Sequence, residues 1–240
     1  TNRELNSQAS ISGNLQDFAR FDPRISQTDK ERGEISALGQ NTRYNAVTID
    51  GVRINDTFGL EANNLPTAKQ PVPLDAIQSL QINISNYDAT ETGYTGASIN
   101  AVTKSGTNQF KGSVRQAYRD EGFVGERFNR ANGTYSPAPV FKDSTTVLTL
   151  GGPIIKDRLW FWGSANRNKI DQLRIDDTTD KTELINYAGK LSGQLSSTNE
   201  VNAFYHFGDK VKEGRTALAI RDQASSWNQG GGSPIFKIED

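Results

Sequence analysis

The chain has 240 residues, a net charge of -1 from 27 basic and 28 acidic residues, and a mean hydropathy of -0.64. That balance excludes the clustered basic footprint of a nucleic-acid binder. The absence of cysteine excludes a disulfide framework, a zinc-finger spacing and a thiol nucleophile. No apolar run reaches the 18 or so residues of a membrane helix, and β-barrel strands, which hide apolar residues at alternate positions, escape that test. Methionine is missing even at position 1, and no charged-then-apolar leader is present. The chain is therefore expected to begin downstream of its own start, with any signal peptide removed or outside it.

Residues 1–30 are polar, with one short helix predicted over 14–20. Asn14 stands at its N-cap, and Leu15, Phe18 and Ala19 share one face. The Asp22-Pro23 pair ends it, because a residue before proline is pushed out of the helical region. Residues 30–33 read as a charged turn. Residues 46–54 read as a hairpin around Asp50-Gly51, a strong two-residue turn signal. A long loop follows over 55–68. Residues 73–80 are predicted to form one or two helical turns, with Pro73 near the first position and Leu74, Ile77 and Leu80 on one face. Short strands are predicted over 81–85 and 99–103. This order of short strands and helices is an α+β pattern.

Ser105, Gly106 and Asn108 form a polar hinge, and the pattern changes after it. Phe110, Gly112, Val114, Gln116 and Tyr118 fall on one face of a strand with period 2. Residues 120–143 read as a long polar loop. Strands over 145–150 and 159–166 flank a turn at 151–158. A hairpin over 187–195 and 201–207, turning at 197–200, puts Leu191, Leu195, Val201, Ala203 and Tyr205 on one face. Lys190, Ser192 and Gln194 lie on the other. Residues 208–232 read as another polar loop with Gly230-Gly231-Gly232 at its tip. Alternation alone fits a soluble β-sandwich as well as a barrel. Short turns on one side and long loops on the other are the barrel's pattern.

No catalytic constellation is present. The single histidine, His206, has no second histidine or cysteine with which to hold a metal, and no Gly-x-Ser-x-Gly elbow accompanies it. The acidic residues near Asp50 lack calcium-loop spacing, and the triple glycine lacks the lysine of a phosphate loop. No catalytic residue, metal site or cofactor is assigned, and an enzyme is not expected. Tyr118, Tyr205 and Trp160 or Trp162 are the candidates for an aromatic girdle at a membrane interface.

Residues 100–113, Asn-Ala-Val-Thr-Lys-Ser-Gly-Thr-Asn-Gln-Phe-Lys-Gly-Ser, resemble the plug-to-barrel junction of TonB-dependent outer-membrane receptors, closest to their Oar-like branch. Residues 44–60, Tyr-Asn-Ala-Val-Thr-Ile-Asp-Gly-Val-Arg-Ile-Asn-Asp-Thr-Phe-Gly-Leu, and 151–163, Gly-Gly-Pro-Ile-Ile-Lys-Asp-Arg-Leu-Trp-Phe-Trp-Gly, carry the same resemblance. It implies an α+β plug domain over 1–105, followed over 106–240 by antiparallel strands of a transmembrane β-barrel that this chain leaves incomplete. The residues after 105 suffice for about five or six spans of roughly 10 residues each, against about 22 strands in a large plugged transporter. The resemblance also implies the outer membrane of a Gram-negative bacterium, contact with its lipid, and uptake of an extracellular substrate driven by TonB, whose contact segment is not in this chain. Substrate contact is expected on plug loops, at Gln40, Arg43, Asn55, Asp56 and Phe58. Residues 83–91 depart from the Arg-Gly-Pro-containing turn of many plugs, which speaks against siderophore recognition. An Oar-like barrel with an adhesion or secretion-linked role and a soluble β-rich binding module are the alternatives.

Overall fold

The computed structural model describes residues 14–29, 33–56, 64–67, 69–84, 93–136, 141–173, 179–215 and 227–239, with Glu4, Ser7 and Ser10 besides. Two compact units divide the chain, residues 1–106 and 107–240.

In the first unit Glu4 and Ser7 are helical, and α1 (Leu15–Ala19) has all five of its residues buried. Asn14 takes the N-cap position with extended backbone, but its side chain makes no capping bond. β1 (Ile25–Asp29) and β2 (Glu34–Ala37) then form an antiparallel pair that the sequence reading missed. The predicted charged turn lies mostly in residues 30–32, outside the described residues; Gly33 closes it with φ 72°. β3 (Ala46–Ile49) and β4 (Val52–Arg53) make the predicted hairpin, with Asp50 and Gly51 both at positive φ.

The predicted helical turns over 73–80 shrink to a single 3-10 turn, Leu74–Ala76, with Pro73 at its N-cap. Ile77 and Leu80 belong instead to β5 (Ile77–Ile84), which pairs along β6 (Ala97–Thr103). Long-range pairing overrides the local helical spacing here: Ile77 sits opposite Thr103 and is fully buried. The sheet order is β4-β3-β6-β5, with β3 and β6 parallel. Ala19, Ile25, Ile35, Ala37, Ala97 and Ile99 form a core, against which Leu80, Ile82 and Ile84 pack. Helix is a small part of this unit among the described residues, whose regular structure is mostly strand.

The second unit is one antiparallel sheet of six strands in the order β14-β13-β12-β11-β10-β7, with a separate hairpin. Its strands are β7 (Lys111–Arg119), β10 (Phe141–Ile155), β11 (Leu159–Leu173), β12 (Thr179–Gln194), β13 (Glu200–Arg215) and β14 (Trp227–Glu239). The hairpin is β8 (Arg127–Asn129) with β9 (Thr134–Ser136), inside what the sequence suggested was only a loop.

These strands run further than their apolar alternation. β10 begins at Phe141, and its turn to β11 is only residues 156–158. β12 and β13 extend well past the predicted 187–195 and 201–207. Of the predicted loop over 208–232, residues 208–215 and 227–232 are strand and residues 216–226 lie outside the described residues; Gly230, Gly231 and Gly232 pair with Val211, Lys210 and Asp209. Glycine weakens a strand, yet a strand already laid along β13 continues through it. The mean strand of a globular protein is about 5–6 residues; 15 and 16 residues are usual here. No helix is long and apolar enough to cross a membrane among the described residues.

Candidate functional site

In the first unit, parallel pairing of β3 with β6 brings the segments that enter them to one end of the sheet. β4 returns antiparallel to β3, so residues after Arg53 reach that end too. Three asparagine carboxamides tie these segments together. Buried Asn45 donates from Nδ2 to the Ile35 carbonyl (3.2 Å) and accepts at Oδ1 from the Ala97 N–H (2.9 Å). Its own carbonyl accepts from Asn55 Nδ2 and Asn64 Nδ2, each at 2.9 Å. Asn64, at φ 57°, also donates to the Thr42 carbonyl (3.1 Å). Gly96 lies against this knot, where a Cβ would sit 2.2 Å from Asn45 Oδ1. Buried amides satisfied in this way fix the loop ends.

The predicted contact residues therefore divide. Gln40 and Arg43 are exposed on the connection from β2 to β3. Asn55 is half-buried and occupied with scaffold: Oδ1 accepts from the Val47 N–H (3.0 Å) and from Arg53 Nε (2.9 Å), while Nδ2 holds Asn45. Asp56 is half-buried, with its N–H donating to the Asn64 carbonyl (3.1 Å). Phe58 lies outside the described residues. Asn45 and Asn64 were missed from sequence, where they read as ordinary loop asparagines.

At the opposite end of the sheet, Asp50 is a fastening and not a ligand-loop residue. Its carboxylate accepts from the Thr103 N–H (2.9 Å) and hydroxyl (2.5 Å). Asn100 Oδ1 accepts from the Thr48 hydroxyl (2.8 Å) and the Gly51 N–H (3.0 Å). Near α1, Arg24 holds the Asp22 carboxyl down to about 2 through paired hydrogen bonds.

In the second unit, register separates two faces. Val114, Leu148, Leu150, Tyr187, Leu191, Tyr205, Phe236 and Ile238 project to one face and are exposed. Asn166, Asn168, Asn186, Ser192 and His206 lie on the other and are buried. Along the exposed face the rows beyond Tyr187, away from the short turns, become mixed: Ile185 and Val211 stand among charged residues, of which Arg167 and Glu183 are joined as an ion pair. Lys142 and Asp120 follow at 3.7 Å. The Gly122 N–H and the Tyr118 hydroxyl, both donating to Asp120, hold its carboxyl below the usual range.

Tyr118 and Tyr205 are on the exposed face as predicted, but neither tryptophan is. Trp162 is buried on the polar face. Trp160 shares its parity and donates its indole N–H to Asn108 Oδ1 (2.7 Å). Phe161, between them, takes the outward position opposite Leu191. Adjacent residues of a strand must point to opposite faces, and the sequence did not say which.

An apolar exterior backed by a buried face that is mostly polar, though it also holds Val147, Leu184 and Phe204, is the inverse of a soluble sheet and is the arrangement of a barrel wall in lipid. A family model described as an outer membrane beta barrel domain matches residues 102–234, more than half of the chain. The chain belongs to this outer membrane β-barrel family. It is similar to the TonB-dependent transporter Oar of Myxococcus xanthus, 30% identical over 166 residues, covering 60% of this chain and 14% of the relative. Its fold is similar to the siderophore receptor PirA from Acinetobacter baumannii (TM-score 0.67, 20% identity, 88% of this chain and 31% of that one). It is also similar to the outer membrane transporter YddB from Escherichia coli (TM-score 0.68, 14% identity, 90% and 33%). The chain thus spans 14% of the length of the curated relative and about a third of these solved barrels. The resemblance to Oar-like TonB-dependent receptors holds, and the protein is one of the Gram-negative outer membrane. These relatives are transporters and receptors rather than enzymes, and membership in this family sets aside the soluble β-rich module.

Proposed function

We propose that the chain is the plug and the first wall strands of a TonB-dependent transporter that takes up a substrate across the outer membrane. In this reading residues 1–105 are the plug and residues 106–240 begin the barrel. The observation that carries it is the sheet from β7 to β14, apolar outside and mostly polar inside, directly preceded in the chain by a small unit with an apolar core of its own. A six-stranded sheet has two open edges, which lipid does not tolerate. Further strands of the full-length protein are expected to close it.

Gln40 and Arg43 are the substrate-contact candidates. Asn55 acts by holding the loop that presents them, and Asp56 stands beside it. Energy comes through TonB, acting on a segment upstream of the plug. The test is photo-cross-linking of the full-length protein to TonB in cells with and without the proton gradient. It is paired with accumulation of radiolabelled ferric enterobactin, chosen because one solved structure of similar fold is the ferric enterobactin receptor of Pseudomonas aeruginosa. Gradient-dependent cross-linking supports a transporter whatever its substrate. Absence of cross-linking, with altered cell adhesion or protein secretion on deletion, favours the Oar-like adhesion or secretion-linked role.

A further inference from the structure

We propose that residues 105–107 are a joint held between two clamps, so that displacement of the first unit is not passed into the wall strands. The proposal rests on the plug reading above for its purpose, though not for its geometry.

The upstream clamp is Thr103-Lys104. Thr103 is fully buried, and its N–H and hydroxyl both donate to the Asp50 carboxylate. The Lys104 N–H donates to the Ala76 carbonyl at 2.8 Å. The downstream clamp is Asn108. Its Oδ1 accepts from the Asp157 N–H (2.9 Å) and from the Trp160 indole N–H (2.7 Å), and its Nδ2 donates to Asp157 Oδ1. Asp157 sits at φ 62° in the tight turn between β10 and β11, an uncommon conformation for a residue other than glycine, asparagine or aspartate. Phe110 reinforces the clamp, packing on Phe161 with ring centroids 6.3 Å apart and lying over Gly152.

Between the clamps, Ser105 and Gly106 make no hydrogen bond to either unit among the described residues. The Thr107 hydroxyl bonds only forward, to the Gln109 carbonyl (3.0 Å) and N–H (3.4 Å). Load on the end of a strand opens ladder bonds one after another. A carboxamide with three bonds around a turn shares the load before β7 is reached. Asn108 is thus a positioning residue for the first wall strand.

The test is force spectroscopy on the full-length protein in a bilayer, pulled from its N-terminus. In the native protein the first rupture should release only residues upstream of Asn108, followed by a tension plateau before any wall strand yields. In Asn108→Ala the plateau should be lost while the first rupture stays unchanged. Asn108→Asp, which keeps the acceptor and loses the donor, should shorten it. Trp160→Phe removes one indole bond and reads the same plateau if the alanine variant fails to assemble. Gln109→Ala should behave as native. A plateau that persists in Asn108→Ala, or in Trp160→Phe where that variant stands in, overturns the proposal. So does a native first rupture that runs into β7. TonB cross-linking reports on the plug reading independently, so the two can fail separately.

Discussion

The two sheets of this chain solve opposite problems. In the first unit Ile77, Ile99 and Ala101 are wholly buried at 0% exposure, and buried polar side chains such as Asn45, Asp50 and Thr103 are held by hydrogen bonds. In the second, Val114 is 77% exposed and Phe236 79%, while Asn168 and His206 are 3% exposed. The same period-2 alternation serves both. What differs is the solvent: water makes apolar exposure costly, whereas lipid makes polar exposure costly.

The largest effect that would break this contrast is a charge in the apolar band. Leu191→Arg, near mid-band, is expected to cost roughly 2–4 kcal/mol. Ile185→Arg, three rows further from the short turns among the charged residues, should cost about 0–1 kcal/mol. Heat-modifiable mobility of the full-length protein in gels measures both; equal losses would contradict the register. Ser192→Arg is a poor control, because Ser192 is buried and bonded to Asn202.

The corresponding break in the first unit is Asn45→Ala. It orphans the Ala97 N–H and the Ile35 carbonyl, at about 1–3 kcal/mol for each group left unsatisfied. Limited proteolysis should show early cleavage near residues 40–56, and a native-like pattern would remove the knot from the account. Gly152→Ala probes packing at the start of the wall. Its Cβ would lie 2.3 Å from the Phe110 ring, so the ring must shift, at a cost of about 1 kcal/mol or more. A changed Phe110 environment in fluorine NMR of a fluorophenylalanine-labelled protein checks this.

The smallest expected effect is electrostatic. Arg24 depresses the Asp22 carboxyl from 3.8 to about 2 in the folded state. Its contribution is therefore fully present above the unfolded value and is lost as pH falls through about 2. The Arg24 side chain is half exposed, so solvent screens the pair and the effect is small. Denaturation of native protein and Asp22→Asn should differ slightly at pH 6 and converge at the acid end; a difference that grows with acid would refute the assignment.

Residue order alone determined the Asp50-Gly51 hairpin, the burial of Leu15, Phe18 and Ala19 in α1, and the shared face of Leu191, Ala203 and Tyr205. Each depends on local sterics or on a period that a strand imposes on its own side chains. Tertiary structure decided the rest. β5 displaced a local helical pattern because β6 offered it a ladder. The wall strands ran through glycine and polar residues because their neighbours already did. Trp160 and Trp162 went to the polar face because Phe161 took the lipid side. Asn45, Asn64 and Asn108 look like ordinary loop asparagines in the sequence. Their roles exist only where distant backbone groups converge on one carboxamide, and neither propensity nor period records which groups will converge.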